Sequence, residues 1–303
     1  MDVLSKILEN ANLTGVVYDK LLLNSPWGID VAKDENSQFW RLISGTCTLG
    51  LANGEIIILK EGDLIFIPHG ASHWIADKEG SPLIKAPAYT KARLAGQSIF
   101  QSAGNETVLI GGHFQFEKEQ LHPFFKDMPA IIHIKSFETE NQLLLQHSAQ
   151  LIFNELKTEK QGSKLILRGL SELLFIQIIR AYLEQFGTPN GFLSALNDSR
   201  VSKALKIIHK QPDQDWTIET LSNEVGMSRS AFFNRFKKLT GETPSNYLTN
   251  WRINSAKQIL IKTDHNINDV AAHVGYYSEA AFNRIFKAKT GLTPALFRRK
   301  NRS

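Results

Sequence analysis

The stretch Ile218-Glu219-Thr220-Leu221-Ser222-Asn223-Glu224-Val225-Gly226 returns 49 residues later as Ile267-Asn268-Asp269-Val270-Ala271-Ala272-His273-Val274-Gly275. Beyond it, Phe232, Phe236, Lys237, Thr240, Gly241 and Pro244 match Phe282, Phe286, Lys287, Thr290, Gly291 and Pro294 at an offset of 50. The second copy therefore carries one extra residue in its turn, and a repeat kept in register on both flanks is a structural unit used twice. Each copy reads as a helix, a tight turn at Gly226 or Gly275 where φ > 0 favours glycine, and a second helix. Ser228 and Ser278 stand where an N-cap is needed, and the i,i+4 pairs Phe232/Phe236 and Phe282/Phe286 give each second helix one buried stripe. Gly241 and Gly291 supply C-terminal stops, and Thr243-Pro244 and Thr293-Pro294 start the next helices with proline at N1. Tyr247 to Leu260 reads as a long connecting helix and Val201, Leu205 and Ile208 as the stripe of an opening one, which predicts seven helices.

Charge follows the same division. From Ala195 to Ser303 there are 18 Lys+Arg against 9 Asp+Glu, a balance of +9, while the remainder holds 17 against 21, a balance of −4. A basic third on a mildly acidic remainder points to a polyanionic partner for the last hundred residues. The 303-residue length suits two or three domains, with a boundary at Phe186-Gly187-Thr188-Pro189-Asn190-Gly191. One cysteine, Cys47, forms no intrachain disulfide, and no cysteine cluster suggests a structural zinc site. Charged residues interrupt both the N-terminus and the apolar run Leu165 to Leu183, so neither reads as a signal peptide or a membrane span, and a cytoplasmic protein is expected.

The C-terminal residues resemble the DNA-binding domain of the AraC/XylS family of transcription regulators. The resemblance rests on Trp216-Thr217-Ile218, Val225-Gly226-Met227-Ser228 and Phe236-Lys237-Lys238 with Thr240-Gly241 and Pro244. It is sharper in Ile267 to Ala271, Val274-Gly275-Tyr276, Phe282 to Lys287 and Thr290 to Pro294. Tyr277 departs from the small or polar residue usual at that turn; it either covers the turn or touches a phosphate.

An α-helix fits the major groove of B-DNA, where base edges carry a unique donor and acceptor pattern. With the paired phenylalanines inward, the first recognition helix turns out Arg229, Ser230, Phe233, Asn234 and Lys237, and the second turns out Glu279, Ala280, Asn283, Arg284 and Lys287. Asn234 and Asn283 suit adenine, Arg284 suits guanine, Phe233 suits a thymine methyl, and the lysines suit phosphates. The plainer alternative is that some of these only solvate a helix face, or that Phe233 packs on Phe236.

In the first 190 residues the period is two. Thr46 to Leu51 and Ile56 to Leu59 flank Asn53-Gly54, which favours a type I′ hairpin turn, and Glu61-Gly62-Asp63 turns into Leu64 to Pro68. The run Gly62-x5-Pro68-x-Gly70-x2-His73 resembles the second motif of the cupin jelly-roll. Ser25-Pro26-Trp27-Gly28, Phe39 to Gly45, Gly111-Gly112-His113-Phe114 and His122-Pro123 fall in the order of the sensor half of AraC relatives. The resemblance implies an α+β chain: a cupin-like sensor barrel over 1–140, a helical pair over 141–187, a linker over 188–196 and a double helix-turn-helix domain over 197–303.

A metal cupin draws two histidines and a carboxylate from its first motif, whereas Ser37 to Gly54 holds no histidine and no carboxylate. His73 thus lacks its expected partners, although His69, His113, His122 and His133 remain available for a different site. The barrel is better read as a small-molecule pocket lined by some of Trp27, Phe39, Trp40, His73 and Trp74, with no metal and no cofactor, and these aromatics are equally candidates for plain core. The apolar patterns of Asn141 to Leu156 and Leu165 to Phe186 serve a dimer seam or pack wholly on the barrel. The expectation is a dimeric, effector-responsive transcription regulator, an activator that engages promoter DNA and RNA polymerase. The competing readings are a metal-dependent cupin enzyme with a DNA-binding tail and a constitutive regulator whose barrel is a scaffold.

Overall fold

Period-two segments in the first half and 3.6-period segments in the second separate the computed structural model into two kinds of architecture. It describes residues 2–10, 13–97, 99–100, 103–115, 125, 127–136, 140–158, 160–187 and 191–302. After α1 (Val3–Asn10), the strands are β1 (Thr14–Asn24), β2 (Gly28–Val31), β3 (Ser37–Ser44), β4 (Thr46–Leu51), β5 (Ile56–Lys60), β6 (Leu64–Ile67), β7 (His73–Ala76) and β8 (Ile84–Lys85). Then come α2 (Ala86–Leu94), β9 (Glu106–Gln115), β10 (Ile132–Ile134) and the helices α3 (Glu140–Thr158) and α4 (Ser163–Phe186). Two five-stranded sheets form, ordered β1-β9-β3-β6-β10 and β5-β4-β7-β2-β8. Leu21, Trp40, Leu42, Ile65 and Leu109 of the first meet Ile29, Leu49, Leu59 and Ile75 of the second in one core. This is the jelly-roll arrangement expected of a cupin.

Side-chain parity gives the first sheet a second packed face. On β3, Trp40 and Leu42 enter the core between the sheets while Phe39 turns the other way and stacks on Phe114 at 5.0 Å. Phe114 and Phe66 then meet Phe175 of α4 at 5.1 and 5.7 Å. One side of α4 is thereby used. Leu143, Leu144, Leu151, Leu165, Ile166, Leu173 and Phe186 of the helical pair stay exposed, so the pair does not pack wholly on the barrel. The β4–β5 turn also differs from expectation. Gly54 has φ +86°, but Asn53 keeps a negative φ, which a type I′ turn forbids. Asn53 Oδ1 instead accepts from the Glu55 N–H at 3.0 Å, an Asx-type turn.

The second unit contains α5 (Phe192–Asn197), α6 (Ser199–Lys210), α7 (Ile218–Glu224), α8 (Arg229–Thr240), α9 (Pro244–Lys262), α10 (Ile267–His273), α11 (Glu279–Thr290) and α12 (Pro294–Asn301). The seven expected helices are α6 to α12. Two boundaries need correction. Residues 188–196 are not simply a linker, because Phe192, Leu193 and Ala195 are buried in α5, whose first N–H donates to Asp127 at 3.0 Å. Nor is all of 1–140 barrel. Helix α1 groups with this second unit, where it contacts α6 and α9 with Val3, Ile7 and Leu8 buried. Burying those three side chains outweighs sequence proximity to β1.

Candidate nucleic-acid interface and effector cavity

The two repeats fold with the same local chemistry. Ser228 and Ser278 each accept from the N–H three residues on at 3.4 Å, capping α8 and α11. Gly241 and Gly291 end these helices in the left-handed conformation, both at φ +75°. Thr240 Oγ1 donates to Phe236 O at 2.8 Å and lies 3.0 Å from Glu242 O, and Thr290 repeats both distances with Phe286 O and Leu292 O. The correspondence extends beyond the motif read from sequence. Phe236 meets Tyr247 edge-on at 5.6 Å, and Phe286 meets Phe297, fifty residues further, at 5.5 Å.

The turn identifies the inserted residue. The Met227 N–H donates to Ser222 O and the Tyr276 N–H to Ala271 O, both at 2.9 Å, so Met227 and Tyr276 are equivalent. Tyr277 is the insertion. It is 85% exposed with its hydroxyl 3.5 Å from an Asp215 carboxylate oxygen, and so does not cover the turn.

Burial divides both recognition helices into an inward and an outward face. Phe232, Phe236, Phe282 and Phe286 are fully buried. Arg229, Ser230, Asn234, Lys237, Glu279, Ala280, Arg284 and Lys287 are exposed, and Phe233 and Asn283 are half-buried. Arg229 lies 3.7 Å from Glu219, and Asn283 Nδ2 lies 3.5 Å from Glu279 Oε1. Arginines outside the recognition helices position the turns. Arg200 donates to Val225 O and to Gly226 O, while Arg252 donates to Pro212 O at 2.6 Å and Gln214 O at 2.9 Å. The Arg252 guanidinium lies so close to Gly275 that a Cβ there would come within 2.7 Å of it. Asp198 caps α6 and takes Arg235 of α8 at 2.6 Å. Burial opposes ionisation of Asp198, but Arg235 and the Val201 and Arg200 N–H groups outweigh it and hold the carboxyl below its ordinary value.

In the barrel unit, a cavity of about 830 Å³ opens between the sheets and α2. Leu21, Ile29, Val31, Trp40, Tyr89 and Leu94 give it apolar walls; Gln38, Lys33, Asp34, Lys91 and Arg93 add polar groups. Gly111 makes room for its floor, because a Cβ there would fall 2.5 Å from the Trp40 ring. Of the five residues expected to line a pocket, Trp40 reaches the wall and the other four do not. Phe39 has the opposite parity. Trp74 lies flat across Gly50 on the neighbouring strand, where a Cβ would sit 2.2 Å from its indole. Trp27 and His73 are buried away from the wall. His73 is satisfied: its Nε2 accepts from Trp40 Nε1 at 2.8 Å and its Nδ1 donates to Ala71 O at 2.9 Å. That occupies the lone pair a metal would need, and burial lowers its pKa against the raising effect of the Ala71 hydrogen bond.

Among the described residues no group of three or more His, Cys, Asp or Glu side chains is placed to hold a metal ion. His113 is half-buried on β9, His69 lies 2.9 Å from Met128 O, and His133 lies 2.9 Å from Asp63, so these histidines do not converge. His122 and Pro123 lie outside the described residues. No described helix is long and apolar enough to cross a membrane.

A two-sheet cupin and a duplicated helix-turn-helix on one chain define a transcription regulator that carries its own sensor-type domain. Comparison with known proteins agrees: a family model described as cupin matches residues 2–184, and one described as a helix-turn-helix domain matches residues 221–300. An HTH-type transcriptional regulator of Haemophilus influenzae is 31% identical over 99% of both chains. The regulator AlkR of Acinetobacter baylyi is 27% identical over 99% of this chain and 100% of its own. A putative AraC-like transcription regulator of Streptomyces lividans is 28% identical over 99% and 98%. The chain belongs to the AraC-like family of DNA-binding HTH-type transcriptional regulators that bear an N-terminal cupin domain.

Proposed function

We propose that this regulator reads promoter DNA through α8 and α11 and answers to a small molecule held in its cupin cavity. Arg229, Ser230, Phe233, Asn234 and Lys237 face one major-groove segment, and Glu279, Ala280, Asn283, Arg284 and Lys287 face the next, about 34 Å along the duplex. One observation carries this reading: both helices have the same caps and buried stripe, and both leave the same face uncovered. The exposed apolar residues of α3 and α4 form the seam of a homodimer, which doubles the number of boxes read. Bound effector changes DNA affinity, or presentation to RNA polymerase for activation, by favouring one of two states. The protein acts in the cytoplasm as a regulator and not as an enzyme; the engaged lone pair of His73 speaks against metal chemistry at the cupin motif. Selection of genomic fragments bound by the purified protein tests the proposal. It should enrich a two-box sequence well above random DNA; fragments with no common sequence would overturn it.

A further inference from the structure

The cavity's chemistry narrows what it can take. Its walls are built by Leu21, Ile29, Val31, Trp40 and Tyr89, so a polyhydroxylated ligand such as a sugar would leave most of its hydroxyls without partners. One polar side chain is set into this wall. Gln38 is 4% exposed, and its Oε1 has no hydrogen-bond partner among the described residues. Rotating the terminal amide offers either its donor or its acceptor to a bound polar group. The same cavity is lined by charged side chains: Lys33 and Asp34 on the loop leading to β3, Lys91 and Arg93 in the last turn of α2. Asp34 does not pair with Lys33 or Lys91 at close range, because its carboxylate turns back on its own loop, accepting from the Glu35 N–H at 2.6 Å and Asn36 Nδ2 at 3.3 Å.

We infer that the cavity binds a monoanionic amphiphile, an apolar chain ending in a carboxylate. The chain lies against Leu21, Val31 and Trp40. The carboxylate meets Lys33 and Lys91, and the Gln38 amide faces the same cavity. This inference rests on the reading of the cavity as the effector site.

Calorimetric titration of the full-length protein with octanoate, octan-1-ol and octylammonium separates the two. Octanoate should bind at least about tenfold more tightly than octan-1-ol, and octylammonium most weakly of the three. Lys33→Ala with Lys91→Ala should erase the preference for octanoate while leaving octan-1-ol within about twofold. Ala86→Trp, or Thr90→Trp should the first fail to fold, narrows the cavity and should abolish binding of octanoate and octan-1-ol together. If octan-1-ol equals octanoate and the tryptophan variants still block it, the cavity stands as a binding site and the anionic preference is refuted. If none of the three probes binds, or neither tryptophan variant affects binding, the cavity reading fails and takes this inference with it.

Discussion

The two helix-turn-helix copies have the same local chemistry and different surroundings. Both use a serine N-cap, an i,i+4 phenylalanine pair, a left-handed glycine stop and a threonine-proline restart. Around the first copy, Arg200 holds the turn carbonyls and Arg235 is drawn back to Asp198. Around the second, Ile285 stands where Arg235 stood, Arg252 packs beside Gly275, and the extra Tyr277 projects outward. The lesson is that caps and buried stripes keep the helix geometry constant while the charged groups around it are free to differ. The first recognition helix turns both of its arginines toward acids of its own domain, Arg235 to Asp198 at 2.6 Å and Arg229 to Glu219 at 3.7 Å. In the second, Arg284 is exposed and Ile285 replaces Arg235.

The comparison can be broken most forcefully in the core. Phe236→Ala and Phe286→Ala should each cost about 3–5 kcal/mol, since each empties a fully buried ring site between two helices. Urea melts of the two variants should match, and a large difference would show that the copies are not equivalent in packing. Arg284→Ala should relax preference at one base pair by about 1–3 kcal/mol, whereas Lys237→Ala should weaken cognate and random DNA alike and reduce the salt slope by about one. Equal losses for Arg284→Ala on both DNAs would remove its assigned base contact. Ser228→Ala and Ser278→Ala should each cost about 1 kcal/mol and add in the double variant, as read by thermal melts.

The smallest effect is confined to the first copy. The depressed pKa of Asp198 gives stability that is fully present above the ordinary carboxylate range and is lost as pH falls through the lower folded value. Asp198→Asn should therefore flatten the acid limb of the stability profile. The second copy has no arginine at the position of Arg235, so Ile285→Val should leave that limb unchanged.

What the sequence disclosed was whatever depends on neighbours along the chain. Ser278, Gly291 and Pro294 act through atoms within four residues, so helix ends were readable to within a residue or two. The cavity depends on parity and on distant packing. Nothing local distinguishes Phe39 from Trp40, yet one meets Phe114 and α4 and the other the cavity. Helix α2 supplies Tyr89 and Arg93 to the wall, but Ala86 to Leu94 shows neither alternation nor a clear apolar stripe. Gln38 was missed because a lone glutamine in a strand carries no signal until its surroundings are known. The short helices α1 and α5 escaped because their burial is decided by partners far away in sequence.

The central claim is that α8 and α11, held by α9, enter successive major-groove segments on one face of the duplex. Measuring affinity for a selected site with five base pairs inserted between its two boxes tests this directly. The account predicts a loss of at least about a hundredfold, because half a helical turn carries the second box to the opposite face. Affinity unchanged by the insertion would mean that a single copy does the reading, and would contradict it.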